Sequence, residues 1–379
     1  MTGRIAGAGT RAGTNAYAQS HAAGCGAGHF SDFLNLHLKL ASLGIGTFPG
    51  AATDAVDAAY EAIVARAALG GINVFDTAAH YRYGRSMRAL GSGLRRAFEA
   101  GVAREQVFVV AKAGFLAFDD RPPEDLARWF DAHIAARGLG TLPDLAGHHL
   151  LTPQYIVHQL DRLRDALGLD TIDALLVDQP EVHVPVAGKE RMHRRLGAAF
   201  AALEQQVKLG TIGCYGISSF HGFRVETDAA VFQSLTSLLG LAEKAAALVH
   251  GAGARHALRV VQLPFNQAMT EGFTRFSHAT GQGNVASTIQ AAHQLRVYVM
   301  ATHSMGKGVL AREASDAVRA KLVALPNDAQ RALQFNRSTP GIGTSLVGIS
   351  TPAHLDDALA VARLAPIEKA AYLSLYERA

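Results

Sequence analysis

Cysteine is nearly absent. Cys25 and Cys214 are the only two in 379 residues. Two thiols so far apart give neither a disulfide framework nor a metal-ligand spacing, so a reducing, cytoplasmic setting is expected. No apolar run reaches the roughly 20 residues needed to span a bilayer, so no membrane partner is expected. The N-terminus lacks the compact apolar block of a signal peptide. Excess charge of one sign is also missing. The formal net charge is +4 and no dense Lys/Arg run occurs, which leaves nucleic-acid binding without support. A sequence pI near 9.1 fits phosphate-bearing ligands. A Gly-x-Gly-x-x-Gly turn is lacking after the first apolar run, where Gly44-Ile45-Gly46-Thr47-Phe48-Pro49 stands instead. A doubly wound dinucleotide-binding sheet would want that turn.

Apolar residues are plentiful, at 49%, and they come in short blocks. Eight blocks, at 43–47, 72–78, 107–113, 173–179, 212–219, 260–265, 297–304 and 346–350, are mostly apolar on both faces. Such blocks suit parallel strands covered on both sides. Helical period fills the intervals. Val56, Tyr60, Ile63 and Ala67 share one face, with Thr53 as N-cap and Gly70 as stop. Thr152-Pro153 opens a helix carrying Ile156, Leu160, Leu163 and Leu167, which stops at Gly168; Thr351-Pro352 opens another. Eight βα units predict an α/β fold, a closed (β/α)₈ TIM barrel, as one domain over residues 41–379. Residues 1–40 read as a flexible or loosely draped arm ending in a small capping hairpin. Two long intervals, 115–151 and about 269–285, leave the C-terminal ends of the third and sixth blocks. They should overhang the mouth of the barrel, the first with a short helix from 124 to 136.

Three residues at block ends carry chemistry. The second block ends in Asp76, with Tyr81 five positions later, and the third ends in Lys112. A lysine closing an apolar run needs a partner, because burying a lone ammonium is costly. A facing carboxylate supplies one, and a phenol beside the lysine becomes easier to ionise. Asp76 and Lys112 alone would also read as a structural ion pair. With a tyrosine in reach, the set reads as a proton-transfer device.

Asp76-Thr77-Ala78-Ala79-His80-Tyr81, then Gly84-Arg85-Ser86 and Leu90-Gly91, resembles the signature of the aldo-keto reductases. The resemblance runs from about Leu43 to Leu359. It implies an NADP-dependent oxidoreductase, with NAD also accepted, acting on a small polar carbonyl or conjugated alkene. In that scheme Tyr81 is the general acid, Lys112 lowers its pKa and Asp76 holds Lys112. A histidine normally ends the fourth strand. Here Leu175-Leu176-Val177-Asp178-Gln179-Pro180-Glu181 puts Asp178 in its place. The resemblance further implies that Ser218, Ser219 and Gln262 bind the nicotinamide carboxamide. Ser219 stands where the family usually has asparagine. The loop containing Thr302, His303, Ser304, Gly306, Lys307 and Gly308 has the glycines, hydroxyls and lysine to cradle a pyrophosphate. Ser350 leads into a helix N-terminus suited to a phosphate. His354 replaces the arginine the family often sets against a 2′-phosphate, Ala358 replaces an asparagine, and Asp357 matches an acidic adenine contact.

Histidine is abundant, with 17 in all. His148-His149 read as solvated loop residues and His183 as a surface residue. His80 and His303 should lie near the mouth, where either could supply the hydrogen bond lost at position 178. The alternative to a reductase is a redox-neutral acid/base enzyme, such as a dehydratase, isomerase or cyclase, on the same scaffold. A cofactor-sensing subunit is a third class, against which the intact Asp76, Tyr81 and Lys112 argue. Nothing in the sequence sets an oligomeric state.

Overall fold

The computed structural model describes residues 3–33, 36–280 and 284–376. The chain first forms an antiparallel hairpin, β1 (Phe30–Phe33) and β2 (Leu38–Ala41). Then come β3 (Leu43–Gly46), β4 (Val74–Ala78), β5 (Phe108–Ala113), the two-residue strands β6 (Leu145–Ala146) and β7 (His149–Leu150), β8 (Ile172–Asp178), β9 (Ile212–Ser218) and β10 (Leu258–Pro264). A ribbon follows, β11 (Phe276–Ala279) with β12 (Val285–Ser287), before β13 (Tyr298–Thr302) and β14 (Thr344–Gly348). Strands β3, β4, β5, β8, β9, β10, β13 and β14 pair in that order and close, with every pairing parallel. Each of the eight apolar blocks thus supplies one barrel strand, and β4, β5 and β8 are buried throughout.

Alternation along the strands sorts the core into two. Val74, Phe108, Val110, Leu176, Val260 and Met300 fill the barrel, and Phe33, Leu38 and Leu40 of the hairpin join them from below. Phe33 stacks on Tyr298 at 4.5 Å between ring centroids, so the hairpin plugs the N-terminal end. The other face of each strand packs on helices. Those helices begin where capping residues dictate. Thr152 accepts from Tyr155 N–H and Thr351 from His354 N–H, each followed by proline at the first helical position. Gly168 closes the Pro153–Leu167 helix in the left-handed conformation, at φ 67°. Thr53 stands at the N-cap position of its helix but makes no capping hydrogen bond.

The loosely draped arm is corrected. Residues Arg11–Ser20 form a helix capped by Thr10. Tyr17 is buried and donates to the Ala68 carbonyl at 2.5 Å. Gly9 N–H donates to Asp173 at 2.5 Å, and Asp173 is also paired with the buried Arg104 at 2.7 Å. The glycines that suggested looseness serve close approach. A Cβ at Gly13 would run into the Glu105 carbonyl, and one at Gly26 into the Leu364 backbone. The 115–151 interval is packed too. Its helix is Leu126–His133, capped by Asp125, and Leu116, Phe118, Phe130, Ile134, Leu150 and Tyr155 form a small core of its own. Part of the second long interval, residues 281–283, lies outside the described residues. Among the described residues no helix is long and apolar enough to cross a membrane.

Candidate active site

Register collects the polar residues at the C-terminal end of the barrel. Ala78 pairs with Lys112, Lys112 with Leu176, Asp178 with Ser218, and Ser218 with Gln262. Asp76, Lys112, Asp178 and Gln262 are all buried there. The Lys112 ammonium donates to Asp76 Oδ1 and, at 3.1 Å, to the Tyr81 hydroxyl oxygen. Gln262 Nε2 holds the other Asp76 oxygen at 2.9 Å. Since Lys112 is the donor to Tyr81, the phenol keeps its own proton for another acceptor.

Tyr81 starts a tight turn, Tyr81–Gly84, in which Arg82 and Tyr83 take left-handed backbone, at φ 49° and 57°. Side chains would ordinarily avoid that region. A clamp fixes it. The buried Arg82 guanidinium pairs with Asp57 at 2.6 Å and donates to the Ala51 carbonyl at 2.8 Å. The loop after β3 is thereby tied to the turn, and it brings Phe48 edge-on to Tyr81 at 5.0 Å.

Electrostatics correct one expectation. Lys112 does pull the Tyr81 pKa down, but burial, aided by Asp178 and Asp76, pushes it well above the usual phenol range. Tyr81 therefore holds its phenolic proton firmly rather than being eased toward ionisation. Burial would lower the Lys112 pKa, yet Asp76, Tyr81 and Asp178 together raise it, so the ammonium stays charged. The Asp178 carboxyl is raised to about 6, by burial first and by Asp76 and Glu181 after, against the pull of Lys112 and the Ser218 hydroxyl. A carboxyl in that range both donates and accepts near neutrality.

Around this centre the expected residues divide. Ser218 lies at the mouth beside Asp178 and Gln262. Three of the expected residues already hold partners within the protein. The Ser219 hydroxyl donates to Glu181 at 2.7 Å and accepts from Gly222 N–H. Ser304 donates to the Leu346 carbonyl at 2.8 Å. Asp357 Oδ1 accepts from Asn327 and Gln330, at 2.9 Å each. Thr302 ends β13 half-buried, and His303 packs on Phe220 at 4.9 Å. The turn Gly306–Ala311 follows, with left-handed backbone at Gly306, Lys307 and Gly308 and an exposed Lys307 side chain. Ser350 is half-buried before the Pro352–Ala362 helix, and His354 is exposed in its first turn.

Sequence reasoning missed a buried histidine pair. His149 and His183 are fully buried, with 2.8 Å between His149 Nδ1 and His183 Nε2. Arg195 can only donate, so its 3.0 Å contact makes His183 Nδ1 the acceptor. His183 Nε2–H then donates to His149, and His149 Nε2–H donates to the Asp178 carbonyl at 2.6 Å. Burial holds both rings neutral, with pKa values pushed down to about 3 and about 4, and Arg195 adds to the shift at His183. Arg195 is anchored in turn on Asp144 at 3.0 Å. Glu181 was missed as well. It is buried, and one of its oxygens collects Ser219, Phe220 N–H and His221 N–H, which shapes the loop after β9. The Pro180-Glu181 step was the available signal.

The family model described as "Aldo/keto reductase family" matches residues 42–235. A D-threo-aldose 1-dehydrogenase from a Pseudomonas species is 32% identical over 151 residues, which cover 39% of this chain. The matched stretch spans only 40% of that relative's length. Two solved structures share the fold. An aldo-keto reductase of Bacillus halodurans, in its holo form, aligns with a TM-score of 0.60 at 15% identity, over 92% of this chain and 97% of that one. An aldo/keto reductase of Klebsiella pneumoniae, in complex with NADP and acetate, gives 0.58 at 16%, over 89% and 91%.

Proposed function

The chain belongs to the aldo/keto reductase family, and we propose that it transfers a hydride between NADP(H), or NAD(H), and a small polar carbonyl compound or the matching alcohol. One observation carries this reading. Lys112 donates to both Asp76 and Tyr81, which leaves the phenol proton free to move. Tyr81 gives that proton to the carbonyl oxygen as general acid. Burial keeps the proton in place until charge develops on that oxygen, and the Lys112 ammonium supports the phenolate left behind. Asp76 keeps Lys112 charged, and Gln262 holds Asp76 from its other side.

The residues present fit a nicotinamide cofactor. Gln262 Oε1 is buried and has no partner, so it can accept a carboxamide N–H. Ser218 stands beside it in register. The left-handed turn around Lys307 and the N-terminus of the Pro352–Ala362 helix offer backbone N–H groups to phosphates. His354 lies in that helix's first turn, where it could meet a 2′-phosphate. Bound there, the reduced nicotinamide supplies the hydride. The Klebsiella protein's NADP and the Pseudomonas relative's aldose support, in turn, the cofactor and the substrate class.

A second reading is favoured by one observation, the Asp178 carboxyl at about 6. Such a group opposite a tyrosine can run redox-neutral proton transfer. Titrating the protein with NADPH, by cofactor fluorescence, and then adding aldoses and simple aldehydes separates the two. Saturable binding with loss of the reduced-nicotinamide absorbance supports hydride transfer. Substrate conversion without that loss supports the second reading, and absence of binding to either cofactor ends the first.

A further inference from the structure

His80 is a mouth residue to which neither reading has given a task. It directly precedes Tyr81 and lies edge-on to it, with 4.8 Å between ring centroids. On its other side it meets Phe115 at 5.0 Å, and Phe115 in turn abuts His149. The ring is thus fixed by packing on both flanks. Burial, with the nearby Lys112 charge, pushes its pKa down to about 3, so it is neutral throughout the working range. Among the described residues, no hydrogen bond from protein reaches either His80 nitrogen. Neither nitrogen is among the buried polar atoms left without a partner, and the residue is half-buried, so each nitrogen keeps some solvent exposure.

The neighbouring histidines are otherwise engaged. His149 and His183 spend their nitrogens on each other, on Asp178 and on Arg195. His303 packs on Phe220 and, among the described residues, makes no ring contact with Tyr81. A carbonyl oxygen that accepts the Tyr81 proton has a second lone pair, and a second neutral donor there stabilises developing charge. Asp178 can donate only while protonated. Ionised, it is an acceptor alone. A neutral imidazole carries one N–H at any pH above its own titration.

We propose that His80 donates a hydrogen bond to the substrate's carbonyl oxygen. This rests on reading the mouth as a carbonyl-reducing site. The test compares His80→Phe, which keeps the ring packing and removes both nitrogens, with His80→Gln, which keeps an N–H donor. Two readouts are taken at a pH well above 6, where Asp178 is ionised. The first is steady-state turnover of the aldose and aldehyde panel with NADPH. The second is calorimetric affinity of the NADP-loaded protein for acetamide, a neutral carbonyl probe that takes no hydride. Loss of one such donor should lower kcat/KM by about 10²-fold in His80→Phe. Acetamide should weaken at least several-fold, NADPH affinity should hold within about twofold, and His80→Gln should recover most of both losses. The proposal is overturned if His80→Phe turns over within about twofold of wild type, or if Gln recovers nothing. If wild type binds NADPH but reduces nothing in the panel, the reductase reading falls by itself. Acetamide affinity then decides His80 alone, and an unchanged affinity in His80→Phe overturns it.

Discussion

At position 178 the protonation of one carboxyl is settled by burial against a nearby ammonium. Its folded pKa of about 6 lies above the ordinary aspartate value of 3.8. Below about pH 4 the group is protonated in both folded and unfolded chains and adds no pH dependence. Between about 4 and 6 the unfolded chain ionises first, so the fold loses stability as pH rises. Above 6 the penalty levels off, on the order of 3 kcal/mol. Asp178→Asn should therefore gain stability over wild type above pH 6, up to that amount, and gain nothing near pH 4. Urea unfolding across this range measures it, and parallel curves for the two proteins would refute a raised Asp178. Tyr81→Phe makes a separate prediction. It removes one hydroxyl from a half-buried ring, so folding and NADPH affinity should persist while turnover falls about 10²–10⁴-fold. Near-normal turnover would remove Tyr81 as the acid. The position of Asp76, Tyr81, Lys112 and Asp178 was legible because each lies toward the C-terminal end of a strand or starts the turn after one. The direction of the Tyr81 shift was not, since burial and two carboxylates outweigh the adjacent lysine.

Between residue and fold, short elements decide which side chains are buried, and here sequence reading failed most. β7 has only two residues, too few for alternation to show, yet it turns His149 inward and leaves His148 exposed. Adjacent histidines in a polar loop look alike until the strand is known. The helix in the same insertion was legible, expected over 124–136 and found at Leu126–His133. Once buried, His149 ties the insertion to the end of β8 through the Asp178 carbonyl and His183. His149→Leu would leave that carbonyl and the His183 N–H without partners in a buried place. Each loss costs about 1–3 kcal/mol, so the variant should unfold about 2–5 kcal/mol more easily. Chemical denaturation gives the figure, and a change below about 1 kcal/mol would mean that the pair contributes little. The clamp from Arg82 to Asp57 and Ala51 belongs to the same scale. No sequence rule predicts left-handed backbone at an arginine, because only the partner loop makes that strain tolerable.

For the whole molecule, the barrel divides labour between its ends. The eight-strand count was legible from the apolar blocks, since strands buried on both faces leave an unbroken signal. The arm beneath the barrel was misread because glycine used for close packing and glycine used for flexibility have the same composition. Gly9, Gly13 and Gly26 lie against the backbone of other segments. Tyr17, Gly9 and Thr10 fasten the arm to Ala68, Asp173 and Glu105. Asp173 opens β8, and Asp178 at the strand's other end faces the mouth, so arm and chemistry sit a full strand apart. Removal of residues 1–22 should strip the buried Tyr17 and leave Asp173 one donor short. Loss of a large buried side chain costs about 3–5 kcal/mol, and the truncated protein should be destabilised by at least that much. Its NADPH affinity, measured where the truncated chain is still folded, should stay within about twofold of the full chain. Among the described residues, nothing that holds Tyr81, Lys112 or Gln262 passes through the arm. A folded truncation that binds NADPH much more weakly would show that the two ends are coupled through the strands, and the separation argued for this barrel would be wrong.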